Sequence, residues 1–525
     1  MAKVVKPAAP APQSPPPAPD EDWGPFGKPL FDDPSARALS RVGVVDVGSN
    51  SVRMVVFDGA ARSPAYFYNE KILCGLGKGL AETGRLNPEG RVRALVALRR
   101  FAKLATGMGI DKLTVVATAA TREAADGPDF QAEVLAATGL RLWVVDGDEE
   151  ARLSAQGVLL GWPDAKGVVC DIGGNSMELA RIGDGKVGRR ATSPLGPFRL
   201  QQVPGGAPAR AIHINAVLKK LQSEIKSEGE RIYLVGGSWR TIARLDMERR
   251  NYPLTVLHEY RMQPAVLLDT IEWILRSDPA VMRARIGTSV ERMELVPLAC
   301  EVLRELIRAL KPSEIDVSAY GIREGLLYEQ MPERLRQRDP LIEAARMAEM
   351  SSSRIPGTGK LLFEFLEPLF PTASADRLRL IKAACLLHDT TWRAHPDYRA
   401  EACFDNATRA NLGGLDHPGR VFLGLALLHR YKNSRAGSRL EPLFRLLTDE
   451  DMQEAEILGK AMRFGAMFAV GDPSLAGSLR WTPKKRQLDL QLTKDGRDLF
   501  GEVARARFAS LALSMRAETR VLDPV

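Results

Sequence analysis

The stretch VVDVGSNSVRMVVFDG, residues 44–59, places a carboxylate, a glycine and three small polar residues between two apolar runs, Val42 to Val45 and Met54 to Phe57. A tight hairpin needs only the glycine. The surplus hydrogen-bonding groups of Asp46, Ser49, Asn50 and Ser51, beside a Gly48 that permits close backbone approach, read as a turn built around something polar. The design returns in GVVCDIGGNSMELARI, residues 167–182: an apolar run, Asp171, then Gly173, Gly174, Asn175 and Ser176, then a second apolar run. The two copies align with one residue of slack, and a duplicated strand–turn–strand unit is a specific signal. Facing each other, two such turns line a cleft with carboxylates and backbone N–H groups on both walls. A third glycine turn, Gly236-Gly237-Ser238 in RIYLVGGSWRTIARL, joins a strand to a helix whose N-terminus favours an anion. One Asn- and Gly-rich turn alone would be an ordinary hairpin; three glycine turns, two of them matched, call for a ligand.

Elements of alternating type must hold these turns. Between residues 41 and 145, VGVVDVG, SVRMVVFDG, KLTVVAT and LRLWVVDG read as strands. PEGRVRALVALRRFAKLATGMG reads as an amphipathic helix, with Pro88 in its first turn and glycines at its end. DVSAYGIREGLLYEQM, 316–331, closes the second unit as strand, Gly321 and helix. From about residue 335 the chain turns mostly helical, and RQLDLQLTKDG near the end reads as a short strand pair. Residues 5–20, VKPAAPAPQSPPPAPD, are expected to be a disordered tail. A chain of 525 residues is long enough for several cores. The expected divisions are a tail at 1–38, α/β halves at 39–145 and 146–334, a helical domain at 335–475 and a small α+β segment at 476–525. Five scattered cysteines without a C-x-x-C pair fit a reducing compartment, and the net charge of +8 suits a polyanionic substrate without demanding one. No apolar run reaches the roughly 20 residues of a membrane span, and the N-terminus lacks a secretory-signal layout.

The set DVGSNSVRMVVFD, TREAA, GDEEARLSAQGVLLG, DIGGNSMELARI, VGGSWRTIAR and SAYGIREGLLY resembles the exopolyphosphatase / guanosine pentaphosphate phosphatase (Ppx/GppA) family, within the actin-like ATPase superfamily. The resemblance spans roughly residues 41–332, and the helical remainder is similar to the HD-like domain that many members carry. It implies an α/β fold made of a duplicated actin-like (ribonuclease H-like) module followed by a mainly helical HD-like domain. It also implies a magnesium- or manganese-dependent hydrolase of inorganic polyphosphate, of pppGpp, or of both. A cytoplasmic homodimer is expected, with neither nucleic acid nor membrane as partner.

Phosphate needs N–H and hydroxyl donors, and its excess charge needs a cation held by carboxylates. Gly48, Ser49, Asn50 and Ser51 form one candidate cradle, and Gly173, Gly174, Asn175 and Ser176 the other; Gly237 and Ser238 add a third edge. Arg53 follows the first turn as a fixed positive charge. Asp46 and Asp171, equivalent in the repeat, are the expected magnesium carboxylates, joined by Glu150. In GDEEARL, acids in a helix's first turn are stabilised by its dipole, and Asp148 is expected to act there as a cap. By resemblance Glu150 positions or deprotonates the attacking water, with Glu149 solvated. Glu123 of ATREAA matches the family's Thr-Arg-Glu-Ala turn and is expected near the same water or metal, with Arg122 beside it a weaker candidate for phosphate. In-line attack of water needs mainly positioning and charge neutralisation, so no cysteine or histidine nucleophile is required.

His388-Asp389 suggests the metal pair of an HD phosphohydrolase, but the segment that should bring an upstream histidine, SSSRIPGTGKLLF, offers Arg354. The pair is therefore expected to be a structural remnant, and His395, His417 and His429 ordinary surface or capping residues. The basic stretches RLRQR, RYKNSR and PKKR, with Arg189 and Arg190, are candidates for holding the distal end of a long polyanion. Three rivals stand beside the exopolyphosphatase reading: a pppGpp 5'-phosphohydrolase, a sugar or acetate kinase, and a non-catalytic polyphosphate- or nucleotide-binding regulator. The kinase would need a nucleoside pocket after the third glycine turn, and the regulator would not need Glu123, Glu150, Asp46 and Asp171.

Overall fold

A computed structural model describes residues 41–58, 62–110 and 113–523; the Pro-rich segment 1–38 lies outside them. β-Branched runs form strands β1 (Gly43–Val47) and β2 (Ser51–Phe57), which pair antiparallel through the first glycine turn. β3 (Tyr66–Leu73) continues the meander, while β4 (Leu113–Ala117) and β5 (Leu142–Val144) add in parallel on the other side, giving the order β3-β2-β1-β4-β5. The second half repeats this with β6 (Gly167–Ile172), β7 (Met177–Gly183), β8 (Lys186–Ser193), β9 (Ile232–Val235), β10 (Tyr260–Met262) and β11 (Ile315–Val317). Its order is β10-β11-β9-β6-β7-β8, so β10 is an extra antiparallel strand on the far edge. The duplication is therefore one of topology as well as of sequence. The register also removes the slack allowed above. Asp46 faces Arg53 across β1 and β2, Asp171 faces Glu178 across β6 and β7, and each turn closes identically: Gly48 N donates to Ser51 O at 3.0 Å and Gly173 N to Ser176 O at 2.9 Å.

The halves join through two helices, Gly147–Gly161 and Ile322–Gln330, which cross with their backbones in contact. Only glycine permits this. A Cβ at Gly325 would stand 1.8 Å from Leu153 O, and one at Gly157 2.2 Å from Gly321 O. Leu153, Val158 and Leu326 share a core with Val44 and Phe57 of the first sheet and Val169 and Tyr233 of the second. The strand ends that carry the glycine turns are thereby set facing each other.

The helical half comprises Pro340–Ser352, Thr358–Leu366, Ala375–Leu387, Arg399–Arg409, His417–His429 and Asp449–Phe468. RQLDLQLTKDG is not a strand pair. It supplies one strand, β13 (Gln487–Leu492), between antiparallel β12 (Gly477–Thr482) and parallel β14 (Glu518–Leu522). Thr493 then caps a helix, its hydroxyl accepting from Gly496 N at 3.1 Å, so the TKDG residues start Lys494–Leu499 instead of turning back. Leu479, Leu488, Leu490, Phe508 and Leu511 sit in the same core as Leu362, Phe464 and Leu425, so the segment after 476 packs as part of the helical half. Among the described residues, no helix is long and apolar enough to cross a membrane.

Candidate active site

The first glycine turn forms one wall of a cleft of about 470 Å³. Asp46, near the end of β1, is half-buried and pairs with Arg323 Nη1 at 3.1 Å, a contact that crosses from one half to the other. Burial raises the Asp46 carboxyl's proton affinity, against Arg323, Arg53 and Lys71, which lower it. Arg53, opposite Asp46, is oriented by Asn69, to whose Oδ1 its Nε donates at 2.8 Å. Lys71, one strand further on β3, is pushed down to about 8 by burial and by the charges of Arg292, Arg53, Arg240 and Arg323.

The second wall is acidic. Asp171 accepts a hydrogen bond from Ser154 of the joining helix, and burial raises its proton affinity, with Asp46 adding to the rise. Glu150 lies in the first turn of that helix, buried, and takes Arg122 Nη1 at 3.2 Å. Burial pushes its carboxyl up to about 8; Arg122 opposes the shift, and Asp171 and Asp46 add to it. Glu178, in the strand place that Arg53 holds on the first wall, is fully buried and raised well above the usual carboxylate range by burial and by Glu150, while Thr192 donates to it at 3.1 Å. The third turn closes the cleft with Gly236, Gly237 and Ser238, and the helix that follows adds Arg240, Thr241 and Arg244.

The structure gathers Asp46, Gly48, Ser49, Asn50, Ser51, Arg53, Glu150, Asp171, Gly173, Gly174, Ser176, Gly237 and Ser238 on this one cleft. Asn175 is buried behind the second turn. The two turns nearly touch: a Cβ at Gly174 would stand 3.2 Å from Ser49 Cβ. Glu123 is not on the lining. Its carboxylate is bound by Arg199 of the second half, with Arg122 at 4.0 Å, so it clasps the rim where the halves meet. Arg122 holds Glu150 and the carbonyl of Val145 at 2.8 Å. The helix cap expected of Asp148 belongs to Asp146, which accepts from Glu149 N at 2.8 Å. Glu149 is forked by Arg152 at 2.7 Å on both oxygens and turns away from the cleft.

Sequence reasoning missed most of the cations. Lys71, Arg244, Arg292 and Arg323 reach the cleft from β3, from the two helices behind the third turn and from the crossing helix. Their spacing in the chain carries no periodic signal; the GIREG of the closing motif was the only trace of Arg323. Arg240 is pushed down to about 10, by burial first and then by Arg323. Among the described residues, no acid pairs with Arg53, Lys71, Arg240, Arg244 or Arg292, and no aromatic ring lines the cleft.

Two histidines depart from expectation. His417 is buried at the junction with the α/β half, between Tyr252 Oη at 2.9 Å and the carbonyl of His258 at 3.3 Å, and His429 is buried inside the helical half. Asp389 is grasped by the Arg354 side chain, Nε standing 2.9 and 3.1 Å from its two oxygens, so a guanidinium fills the seat that an HD metal would need. His388 beside it is buried and pushed down to about 4.

The sequence profile of the Ppx/GppA phosphatase family matches residues 55–334, more than half of the chain. The chain belongs to the Ppx/GppA phosphatase family. A second profile, the C-terminal domain of exopolyphosphatases, matches residues 341–519. Exopolyphosphatase 1 of Mycobacterium leprae is 28% identical over 312 residues, 55% of this chain and 89% of that protein. Retrograde regulation protein 2 of Saccharomyces cerevisiae is 24% identical over 444 residues, 74% of this chain and 72% of that protein. A crystal structure of an exopolyphosphatase from Cytophaga hutchinsonii superimposes with a TM-score of 0.51 at 22% identity, covering 55% of this chain and 96% of that chain. That likeness fixes the fold of the family's phosphatase module: two actin-like halves about one cleft.

Proposed function

We propose that the chain is an exopolyphosphatase, releasing orthophosphate from the end of inorganic polyphosphate. The observation that carries this is the set of five cleft cations that form no ion pair among the described residues and outnumber the three cleft acids, in a cleft without an aromatic ring. Like charges in a partly desolvated space repel one another, and Asp46, Asp171 and Glu150 offset only part of that repulsion, so an added anion is favoured among them. A polyphosphate chain supplies that charge at every unit. A nucleoside would ask for a stacking face, and the lining has none. The name of the Mycobacterium leprae relative points the same way.

In the proposed reaction a water oxygen attacks the terminal phosphorus as the bridging P–O bond breaks on the opposite side. Glu150, deprotonated, takes the water's proton, and the shortened chain leaves with the bridging oxygen's electron pair. The N–H groups of the first and second turns and the guanidinium of Arg53 hold the terminal oxygens, and Arg240, Arg244, Arg292 and Lys71 hold the chain behind them. Arg122 keeps Glu150 oriented. Glu123, through Arg199, keeps the two walls together.

Magnesium fits the donor set in kind. Asp46, Asp171 and Glu150 are hard oxygen ligands; Asp46 raises the proton affinity of Asp171 and of Glu150 across the cleft, and Asp171 that of Glu150, a repulsion that a divalent cation would relieve. They form no ready-made cage: among the described residues no three acidic, histidine or cysteine side chains are grouped closely enough to hold a metal, and Asp46 already faces Arg323. This suits an ion that keeps several waters and binds together with the phosphates. Bound there, it would neutralise the charge on the phosphoryl oxygens. The test is phosphate release from long-chain polyphosphate, with pppGpp in parallel, in magnesium and in chelator. Faster release from polyphosphate sustains the reading. Release from pppGpp alone keeps the site and changes the substrate, and release from neither overturns the proposal.

A further inference from the structure

The cleft wall that carries Arg53 and Lys71 is anchored in the helical half. β2 and β3 bring Ser51, Arg53, Asn69 and Lys71 to the cleft, with Arg53 opposite Lys71 in register. β3 is the edge of its sheet, held by a single ladder, so its ends must fix where its middle lies. Arg62, Ser63 and Pro64, just ahead of β3, are buried, and each bonds to the helical half. Arg62 Nε donates to Arg338 O at 2.8 Å. Ser63 Oγ donates to Asn411 O at 2.8 Å and accepts from Gly413 N at 3.3 Å, and Asn411 Nδ2 donates to Pro64 O at 2.6 Å.

The receiving loop is built to stay in place. Asn411, Leu412 and Gly413 lie between helices Arg399–Arg409 and His417–His429. Arg420, 1% exposed, reaches back from the second helix and donates to the carbonyls of Ala410 at 2.8 Å and Leu412 at 2.7 Å, one on either side of Asn411. A loop ordered in this way loses little freedom when it grips a neighbour. Asn411 also accepts, through Oδ1, from Tyr320 Oη at 3.3 Å. Tyr320 stands two residues before the crossing helix Ile322–Gln330, which carries Arg323. Glu324 in that helix's first turn completes the link, accepting from Gly321 N at 2.8 Å and from Tyr66 Oη, at the start of β3, at 2.6 Å. One loop of the helical half thereby holds both elements that carry Arg53, Lys71 and Arg323. Tyr66 to Lys71 is about 17 Å of strand, a lever on which a shift at the clasp is felt in the cleft.

We propose that Ser63 and Asn411 are positioning residues for substrate binding: through them the helical half sets where the β2–β3 hairpin and the crossing helix place the cleft cations. Neither residue lines the cleft. The consequence for substrate rests on the exopolyphosphatase reading; the clasp itself rests on the hydrogen bonds between the halves. A guanidinium displaced by a fraction of its contact distance loses its grip on an anion, while Glu150 on the opposite wall keeps its place, so KM is the quantity that moves.

The test compares the full chain with Ser63→Ala, which removes both hydroxyl bonds, and Asn411→Ala, which removes both side-chain bonds. Phosphate release from long-chain polyphosphate gives kcat and KM, and hydrogen exchange read by mass spectrometry gives the opening of each strand without substrate. Each variant is expected to raise KM about fivefold while kcat stays within about twofold of the parent. Amides of Ser51–Phe57 and Tyr66–Leu73 are expected to exchange about tenfold faster, with those of Ile232–Val235 unchanged. Three results would overturn the proposal: unchanged exchange in the hairpin of both variants, faster exchange there with KM unmoved, or exchange accelerated equally in Ile232–Val235, the mark of a general loss of stability. A parent chain that releases no phosphate, with the hairpin still loosened selectively in the variants, would sink the exopolyphosphatase reading and leave the positioning of the hairpin standing.

Discussion

The two glycine turns share a backbone and differ in charge. In both, an aspartate ends the first strand and a glycine N–H closes the turn on the fourth residue. Opposite the aspartate the first turn places Arg53 and the second places Glu178. Around Arg53 gather Lys71 and Arg323; around Glu178 gather Glu150 and Asp171. Duplication supplied a symmetric frame, and one pair of residues at a single register position sets its polarity. In the proposed reaction one wall grips anions and the other handles protons.

If that division holds, removing the acid wall lowers turnover and removing the basic wall weakens binding. The largest effect is expected from Glu150→Gln, with kcat for phosphate release down about a thousandfold and KM nearly unchanged. Arg53→Ala and Arg292→Ala should act on the other quantity, raising KM for polyphosphate about tenfold to a hundredfold each. If Arg53→Ala lowered kcat as deeply as Glu150→Gln at unchanged KM, the walls would not be specialised. Glu123→Gln, which loosens the clasp on Arg199, is expected to lower kcat about tenfold, and Arg199→Gln should reproduce the loss. A much deeper loss in Glu123→Gln than in Arg199→Gln would put that carboxylate on the reacting water.

The pH dependences differ between the walls as well. In the proposed reaction Glu150 works deprotonated, so kcat/KM should rise with pH toward about 8, while Lys71 loses its charge above about 8 and substrate binding should weaken there. The two trends together give a maximum near 8. The stability term has its own sign. The folded Glu150 carboxyl holds its proton up to about 8, and the unfolded one releases it near 4.5. Folding stability from this group is therefore greatest below about 4.5 and declines as pH rises to about 8. Thermal melts in chelator should show Glu150→Gln more stable than the parent at pH 8 and level with it at low pH. An equal or lower melting temperature at pH 8 would mean that the carboxyl is not held protonated. Glu178→Gln should give the smallest change in activity, with the same direction in the melts.

Much of this was legible in the chain. The turns, their duplication, the strand at Ile232–Val235 and the helix at Pro88–Gly107 follow from local rules of apolar period, glycine, proline and capping. The three helix N-terminal acids at 148–150 could be seen, but their division of labour could not. Arg152 and Arg122 decide it, one by sharing a helix face with Glu149 and the other by arriving from a different element. Glu123 was visible as a motif, and its clasp by Arg199, 76 residues away, was not.

The sequence by itself determined the repeated turn and the family it belongs to, because both depend on neighbours within a few residues. Tertiary structure alone decided which charges share the cleft. Lys71, Arg240, Arg292 and Arg323 come from four separate elements, and no spacing in a chain encodes where sheets and crossing helices will set them side by side. Charge acts through space, and only packing defines that space.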